Sequence, residues 1–531
     1  MDTSHIHVEG HCAKPYKPYF VSTRQTRPLS ELVEFLSVTD LSHDLSLRFT
    51  EYYYDAPGPD DLRGHISRFV NGDAGLGAGV ASIIEQSVAK IVRYEADVPQ
   101  IRNWLNPSRV SRQTYPPKSS PGPYYKLKYG YNEKRLAYPS AVLDATLMVN
   151  KIQNGTFSRD DDRPAGLAGR GRRVDIRGEA KPDEGRLILT VDFMYYLVAS
   201  LTSQVYTKIL SYLRPSRGGV MIGLGPFGGK WGALYDSLLG DGEILEFDFS
   251  RFDSTVPPAV IKAAYSLIKS RFEDCPGKDA YFAYLRRNMI STVILDPSGT
   301  AFRKKGGIAS GDPYTSIVGS YCNMIMCIGA LTRLGLELGV DYDIWAYGDD
   351  GLIKFYSKKV DKAEFTRTLG ELFGMIVKEK ATKVSVDVSS TLNENGEWER
   401  ENVTFLHNNF TPRGFPIRSM SDMLIRLYSP EKHVWPDQSH PRPREYGTWL
   451  LSRVYAYYIL YYFNQEARDL LGYFYDYLLR RYDPLRTERP TLVSSFAEKW
   501  IPISGLDQSF FDKCLPTTEQ ISELYTINIY L

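Results

Sequence analysis

EFDFSRFDST (residues 246–255) and AYGDDGL (residues 346–352) are the two stretches that decide how this chain folds. In the first, Leu245, Phe247 and Phe249 alternate with Glu246 and Asp248, so Ile244 to Phe249 is expected as a half-buried strand. Asp253 follows Asp248 by five residues. In the second, Tyr342 to Tyr356 is expected as a hairpin whose turn is Gly348-Asp349-Asp350-Gly351. Adjacent carboxylates repel, so an Asp-Asp pair on a tight turn is costly unless a cation neutralises it. Mg2+ takes a few carboxylates together with substrate phosphates, which suits this pattern. With strand and hairpin adjacent in one sheet, Asp248 and Asp349 would converge and could hold two ions about 3.5–4 Å apart. Asp and Gly favour turns in any protein, so the hairpin gains its meaning from its neighbours.

Outward from these stretches, Pro257 and Pro258 open a helix with Val260, Ala264, Ile268 and Phe272 at fourfold spacing. Asp312-Pro313 reads as a helix cap and first position, and Asp361 with Glu364 as a capping box for a helix closed by Gly374. The first 240 or so residues read as irregular, rich in Pro, Gly and Tyr. Within them, Ile101 to Ala137 carries Arg102, Arg109, Arg112, Lys118, Lys126, Lys128, Lys134 and Arg135 among five tyrosines. Aromatic faces beside cations suit nucleic acid, and a solvated basic loop is the plainer alternative. A second basic run, Arg163 to Lys181, contains Ala165-Gly166-Leu167-Ala168-Gly169, which reads as an exposed loop. Residues 421–531 read as mainly helical and aromatic.

Composition sets the outer bounds. The 531 residues are 43% hydrophobic and 24% charged, ordinary for a globular chain with a large core. A net charge of +1 gives no global field for a polyanion, so any such site must be local. Five scattered cysteines (Cys12, Cys275, Cys322, Cys327 and Cys514) point to a reducing compartment rather than a disulfide framework. The start, MDTSHIHVEGH, lacks a signal-peptide pattern, and Val454 to Phe463 is too short to span a bilayer, so no membrane partner is expected. His5, His7, His11 and Cys12 lack zinc-site spacing, and GLGPFGGK (Gly223 to Lys230) lacks the spacing of a phosphate-binding P-loop.

In order, the chain then shows DFSRFD, GGIASGDPYTSIVGSYCN, YGDD, FGMIVKEK and FLHNNF. This series resembles motifs A to E of viral RNA-dependent RNA polymerases, over roughly residues 160 to 415. DFSRFDSTVPP and GRLILTVDF look most like the polymerases of partitiviruses and picobirnaviruses, which have double-stranded RNA genomes. The resemblance implies Asp248 and Asp349 as main metal ligands and Asp350 as a weaker third, with Mg2+ as cofactor and Mn2+ as the alternative. It implies that Asp253 reports the ribose 2′-hydroxyl, that Ser310 and Gly311 form a flexible loop at the nascent pair, and that Thr315 and Asn323 assist ribose selection. Gly319 departs from the family, where Asn or Asp is common. Lys181 and Arg186 resemble the cations that receive the triphosphate, with Arg173 and Arg177 as the alternative alignment. Lys380 fits best as the lysine that protonates the leaving pyrophosphate, with Lys378 and Lys383 close by. Phe405 to Phe410 would be a primer-grip hairpin.

The fold so implied is α+β, a right hand of fingers, palm and thumb, with a small antiparallel palm sheet backed by helices. Expected bounds are 1–243 for fingers and N-terminal segment, 244–269 for palm, 270–303 for a return to the fingers, 304–420 for palm, and 421–531 for thumb and C-terminal segment. The implied activity is RNA-directed RNA synthesis from NTPs on an RNA template, in the host cytoplasm and inside the virus particle, with capsid protein as a further partner. A reverse transcriptase is the enzyme alternative, and Asp253 sits where that class places a bulky ribose-excluding side chain. The other alternative is a catalytically idle RNA-binding protein of the capsid interior on a polymerase scaffold.

Overall fold

The structure, a computed structural model, describes residues 7–11, 28–39, 47–55, 57–66, 68–69, 76, 79–177, 185–213, 215, 218–296, 298–356, 361–378, 382–431, 443–482 and 515–526. Lys181 and Lys380 lie outside the described residues. It is a mixed helix-and-sheet protein with several small sheets.

The sheet that carries the two acidic stretches has five strands. Their order is Lys383–Ser385, Glu243–Phe247, Asp350–Phe355, Tyr342–Tyr347, Gly219–Val220. All neighbours are antiparallel except the last pair. Alternate residues feed two apolar clusters. Leu245, Phe247, Ile344, Ala346 and Ile353 join the main core with helices Pro258–Ser270, Thr315–Arg333 and Lys362–Phe373. Ile244, Trp345 and Leu352 join a second cluster with Trp231, Phe405 and Phe410. The expectation of a half-buried strand is therefore corrected: both faces are covered, and Glu246 is buried with the Thr404 N–H donating to its Oε2 at 3.0 Å. The hairpin turn is also tighter than expected. Tyr347 pairs with Asp350, which leaves Gly348-Asp349 as the two turn residues, with Gly348 at φ 62°.

Three further corrections concern helices and a strand. The N-terminal half is not irregular; it contains helices Val80–Tyr94, Lys134–Gln153 and Phe193–Tyr212. Phe193–Tyr212 is buried on most of its circumference, so no polar stripe marks its period. Lys134–Gln153 buries Ala137, Ala141 and Ala145, which carry little hydrophobic signal. The run Ala165 to Gly169 is not an exposed loop but the buried strand Ala165–Arg170, paired with Arg186–Thr190 and Val293–Leu295. Its small residues permit close packing, since a Cβ on Gly169 would come within 2.5 Å of Pro57. Asp312 does not cap a helix at Pro313: the helix starts at Thr315, and Asp312 instead accepts from the Tyr314 N–H at 2.8 Å.

An N-terminal helix and the C-terminal helices meet in a separate core. Leu29, Leu32, Phe35 and Leu36 pack with helices Met420–Tyr428, Pro443–Leu460 and Gln465–Tyr482 and with Ile521 and Leu524. Helix Thr315–Arg333 is long and apolar enough to cross a membrane, but it is mostly buried in the main core.

Candidate active site

The register of the sheet brings the carboxylates together. Phe247 pairs with Gly351, so Asp248, one residue further, stands beside Asp350, while Asp349 occupies the adjacent turn. Gly351 must be glycine here, because a Cβ would fall 2.3 Å from the Phe247 ring. The segment after helix Lys362–Phe373 then zips onto the end of the strand. Ser250 N donates to Ile376 O at 2.7 Å and Lys378 N to Asp248 O at 2.8 Å, which delivers the Lys378 ammonium to Asp248 Oδ2 at 2.7 Å. Asp350 is pushed up to about 7, first by burial and then by the charges of Asp349 and Asp248, with Arg186 and Lys378 opposing.

Helix Thr315–Arg333 braces the turn from behind. Ser320 Oγ accepts from Gly348 N at 2.8 Å. The Asn323 amide donates to the carbonyls of Gly348, Asp349 and Asp350 at 3.1, 3.2 and 3.3 Å. Thr315, Gly319 and Asn323 do share a stripe; Gly319 and Asn323 face the turn, and Thr315 faces the loop before the helix. Asn323 is fully buried there, and Thr315 Oγ1 donates to Ala309 O at 2.6 Å and Asp312 O at 2.9 Å. The family departure at Gly319 has a steric setting, since a Cβ there would already touch Gly348 Cα at 3.4 Å.

Asp253 is locked to the loop before that helix. Its carbonyl accepts from Ile308 N at 2.6 Å, and its carboxylate accepts from the Ser310 hydroxyl. Burial and the nearby Asp349 raise its proton affinity, while Ser310, Arg186 and Lys304 oppose this. Gly311 sits at φ 104°, where a Cβ would meet Leu189 O at 2.4 Å, and Leu189 N donates to Ser310 O at 2.7 Å. Strand Arg186–Thr190 is thus docked on the Ser310-Gly311 loop and carries Arg186 to the acidic cluster.

A cleft of about 930 Å3 joins these parts, with Arg186, Asp253, Ser310, Asp349 and Lys378 among its walls. The other expected cations among the described residues are engaged elsewhere. Arg177 pairs with Glu51, and Arg173 donates to Ser429 O at 2.9 Å. Part of the tyrosine-rich basic stretch is also turned inward. Lys134 is buried with its ammonium 3.9 Å from the centre of the Tyr196 ring, and burial pulls it down to about 8 despite Asp192. Tyr124, Tyr125, Tyr129 and Tyr131 pack on one another, while Arg109, Arg112, Lys118 and Lys128 remain exposed.

Sequence reasoning missed several residues of the site. Lys304 is fully buried and donates to the carbonyls of Met289, Gly306 (3.0 Å) and Gly307 (2.7 Å), holding the loop that ends in Ser310. Burial pulls it down to about 7, with Asp312 and Asp253 opposing. His65, Arg68 and Arg251 also line the cleft. Only the position of Arg251 between the two aspartates of DFSRFD could have drawn notice.

Among the described residues, no three Asp, Glu, His or Cys groups form a ready-made metal cage. The donor chemistry nevertheless fits a divalent ion. Three crowded carboxylates, one of them pushed up to about 7 by burial and then by the charges of the other two, are what a cation at this place would relieve.

Comparison with known proteins agrees with this geometry. The family model for viral RNA-dependent RNA polymerase matches residues 176–431, which include Asp248, Asp253, Asp349 and Asp350. An RNA-directed RNA polymerase of Cryptosporidium parvum virus 1 is 31% identical over 162 residues, 30% of this chain and 28% of that protein. Non-structural polyprotein 1AB of turkey astrovirus 1 is 26% identical over 220 residues, 38% of this chain and 14% of the polyprotein. The genome polyprotein of canine calicivirus is 24% identical over 276 residues, 49% of this chain and again 14% of the polyprotein. The chain thus spans 14 to 28% of the length of these relatives.

Proposed function

Since residues 176–431 carry a viral RNA-dependent RNA polymerase domain, we propose that the whole chain extends RNA by nucleotidyl transfer from NTPs on an RNA template. The observation that carries this reading is the sheet register that sets Asp248 beside the Gly348-Asp349 turn, with Asp253, Arg186 and Lys378 on the same cleft. On this reading the sheet is the palm of a right-hand fold. Most of residues 47–213, with 270–303, make the fingers; Gly219–Val220 belongs to the palm sheet, and the helical region from 421, with Leu29 to Leu36 packed on it, makes the thumb.

Asp248, Asp349 and Asp350 would hold divalent ions, Mg2+ in the first instance; the viral polymerase family in general works with such ions. When bound, they lower the pKa of a 3′-hydroxyl and offset charge on the leaving oxygen. The 3′-oxygen forms a bond to the α-phosphorus as the bond to the β-phosphate oxygen breaks, and pyrophosphate leaves. Arg186 faces the charge of the triphosphate. Lys378, now on Asp248, is the described lysine nearest to that chemistry and the candidate to donate a proton to pyrophosphate. The Asp253–Ser310 pair would read the 2′-hydroxyl, because a site built around a hydroxyl rejects the analogue that lacks it.

DFSRFDSTVPP supports a place beside partitivirus and picobirnavirus polymerases. The free thiols of Cys275, Cys322 and Cys327 support work in a reducing compartment such as the host cytoplasm. Primer extension on an RNA template, with rNTPs and with dNTPs, tests the reading. Wild type should incorporate rNTPs, and Asp349→Ala should abolish incorporation while RNA binding survives. An Asp349→Ala variant that keeps a tenth of the wild-type rate would overturn the assignment, and a preference for dNTPs would make the enzyme a reverse transcriptase.

A further inference from the structure

The segment from Leu189 to Tyr195 grips the loop before helix Thr315–Arg333 at two points. Leu189 N donates to Ser310 O at 2.7 Å, and the Tyr195 hydroxyl donates to Asp312 Oδ2 at 2.6 Å. These grips flank Gly311, whose positive φ and closeness to Leu189 O suit glycine alone. A strand-to-helix corner makes the double grip possible. Strand Arg186–Thr190 leads at once into helix Phe193–Tyr212, where Asp192 caps the first turn by accepting from Met194 N at 3.0 Å. Tyr195 leaves that capped turn pointing into the core, where it is buried.

Between those ends the loop is held residue by residue. Lys304 takes the carbonyls of Gly306 and Gly307, and Ile308 N donates to Asp253 O at 2.6 Å. Ala309 O accepts from Thr315 Oγ1 at 2.6 Å and from Asp312 N at 3.0 Å. Ser310 is thereby set with its hydroxyl on Asp253. Asp312 closes the arrangement and is itself buried, its Oδ1 accepting from Tyr314 N at 2.8 Å and its Oδ2 from Tyr195. Burial pushes its carboxyl up to about 6, with Tyr195, the Tyr314 N–H and Lys304 opposing. A buried carboxylate oxygen that loses its donor is costly, so without the Tyr195 hydroxyl Asp312 would shift toward another partner and carry the loop with it.

The fixity of this loop bears on specificity. A site built around a hydroxyl rejects the analogue lacking it because a polar group is then left unpaired. That penalty lasts only while neighbouring donors stay in place. A Ser310 loop free to move would re-pair Asp253 and admit the deoxy analogue. We propose that Tyr195 is a positioning residue for ribose selection, acting through Asp312 to keep Ser310 fixed on Asp253. The proposal rests on the polymerase reading and adds to it a side chain outside the five motif segments.

The test is Tyr195→Phe, which removes one oxygen and keeps the ring, made alone and in a Ser310→Ala background. With rATP and dATP competing in primer extension, Tyr195→Phe should lower the rNTP/dNTP ratio by about tenfold, the scale of one charge-assisted hydrogen bond, and change kcat for rATP little. Ser310→Ala loses the same discrimination directly. Adding Tyr195→Phe to it should lower the ratio no further, because two residues that act through one contact are not additive. Asp312→Asn keeps an acceptor for Tyr314 N and offers an N–H to the Tyr195 oxygen, so it should retain most of the ratio. The hold on the loop is read separately, by amide hydrogen exchange without substrates, where residues 306–312 should exchange faster in Tyr195→Phe. An unchanged ratio in Tyr195→Phe would refute the role in ribose selection. So would an additive loss in the double variant, which would reduce Tyr195 to a core hydrogen bond. A wild-type protein that extends no RNA would overturn the polymerase reading instead; faster exchange in Tyr195→Phe would then leave the hold of Tyr195 on the loop standing, and unchanged exchange would refute it.

Discussion

Replacing Asn323 with leucine separates two roles for one residue. The family resemblance implies ribose selection, whereas the structure puts the Asn323 amide on the backbone of the catalytic turn. Leucine has the same number and branching of side-chain heavy atoms as asparagine, though bulkier ones, so the substitution removes the donor without opening a cavity. The two hydrogens on Nδ2 are shared by three carbonyls at 3.1, 3.2 and 3.3 Å, the equivalent of about two hydrogen bonds of roughly 1 kcal/mol net each. Stability should therefore fall by about 2 kcal/mol, with the three carbonyls of residues 348–350 left to find water. The larger consequence is geometric. Asp349 and Asp350 sit on the turn that Asn323 and Ser320 hold, and a displacement of about 1 Å in a reacting constellation costs on the order of 10²-fold in rate. Single-nucleotide primer extension should show kcat down by about that factor, with KM and the rNTP/dNTP ratio nearly unchanged. Asn323→Asp should do worse, and worse at pH 8 than at pH 6, because an ionised carboxylate would face three carbonyl oxygens. A variant with wild-type kcat and a collapsed rNTP/dNTP ratio would refute the bracing role and return Asn323 to the ribose.

Asp253→Ala should weaken discrimination against dNTPs by removing the acceptor that Ser310 now satisfies; unchanged selectivity measured by competing rATP and dATP would move ribose sensing elsewhere. Glu246 is pushed up to about 7 by burial, although the Thr404 N–H and Lys383 favour its charged form. Its folded pKa exceeds the unfolded value of 4.5, so its contribution is full below about pH 4.5 and is lost as pH rises through about 7. Glu246→Gln keeps an acceptor for Thr404 and should be more stable than wild type at pH 8, by up to about 3 kcal/mol, with the difference vanishing near pH 4; a denaturation series showing a pH-independent difference would count against this. Neutralising the exposed Arg109, Arg112, Lys118 and Lys128 together should weaken RNA binding for all sequences and flatten the log-log salt slope by roughly 0.7 per lost contact. An unchanged slope would leave those charges as solvated surface.

The features legible in the sequence were those whose cause is local. Period-two alternation gave the strand that ends just before Asp248, and the Gly-Asp pair gave the hairpin, because turn chemistry and the pleat act over a few residues. The capping Asp361 and the closing Gly374 were readable for the same reason, and both appear as the ends of one helix. What failed to show were features made by partners far apart in sequence. Ala165 to Gly169 looked like a loop because small residues carry little hydrophobic signal, yet smallness is what lets that strand approach Pro57 and Arg186–Thr190. Phe193–Tyr212 hid its helical period because it is buried nearly all round.

The same division runs through the site. The residue types of the carboxylate cluster were visible, but the direction each polar side chain takes was not. Lys304 carries a charge that composition places at the surface, and only three backbone carbonyls from residues 289, 306 and 307 make its burial tolerable. Asn323 lies on the expected stripe, but its partners are 25 to 27 residues further along the chain. Arg251, at φ 56°, is the sharpest case, because nothing in its neighbours' types announces a left-handed backbone. In each of these places a local rule is broken: a charge is buried, a polar stripe faces inward, or a side chain occupies glycine's conformation. Arg251 lines the cleft, Asn323 holds its catalytic turn, and Lys304 holds the loop that leads to Ser310 on the cleft wall. A fold can sustain such departures only where surrounding structure holds them, and concentrating them at one cleft is what selection for binding and chemistry, rather than for stability, would produce.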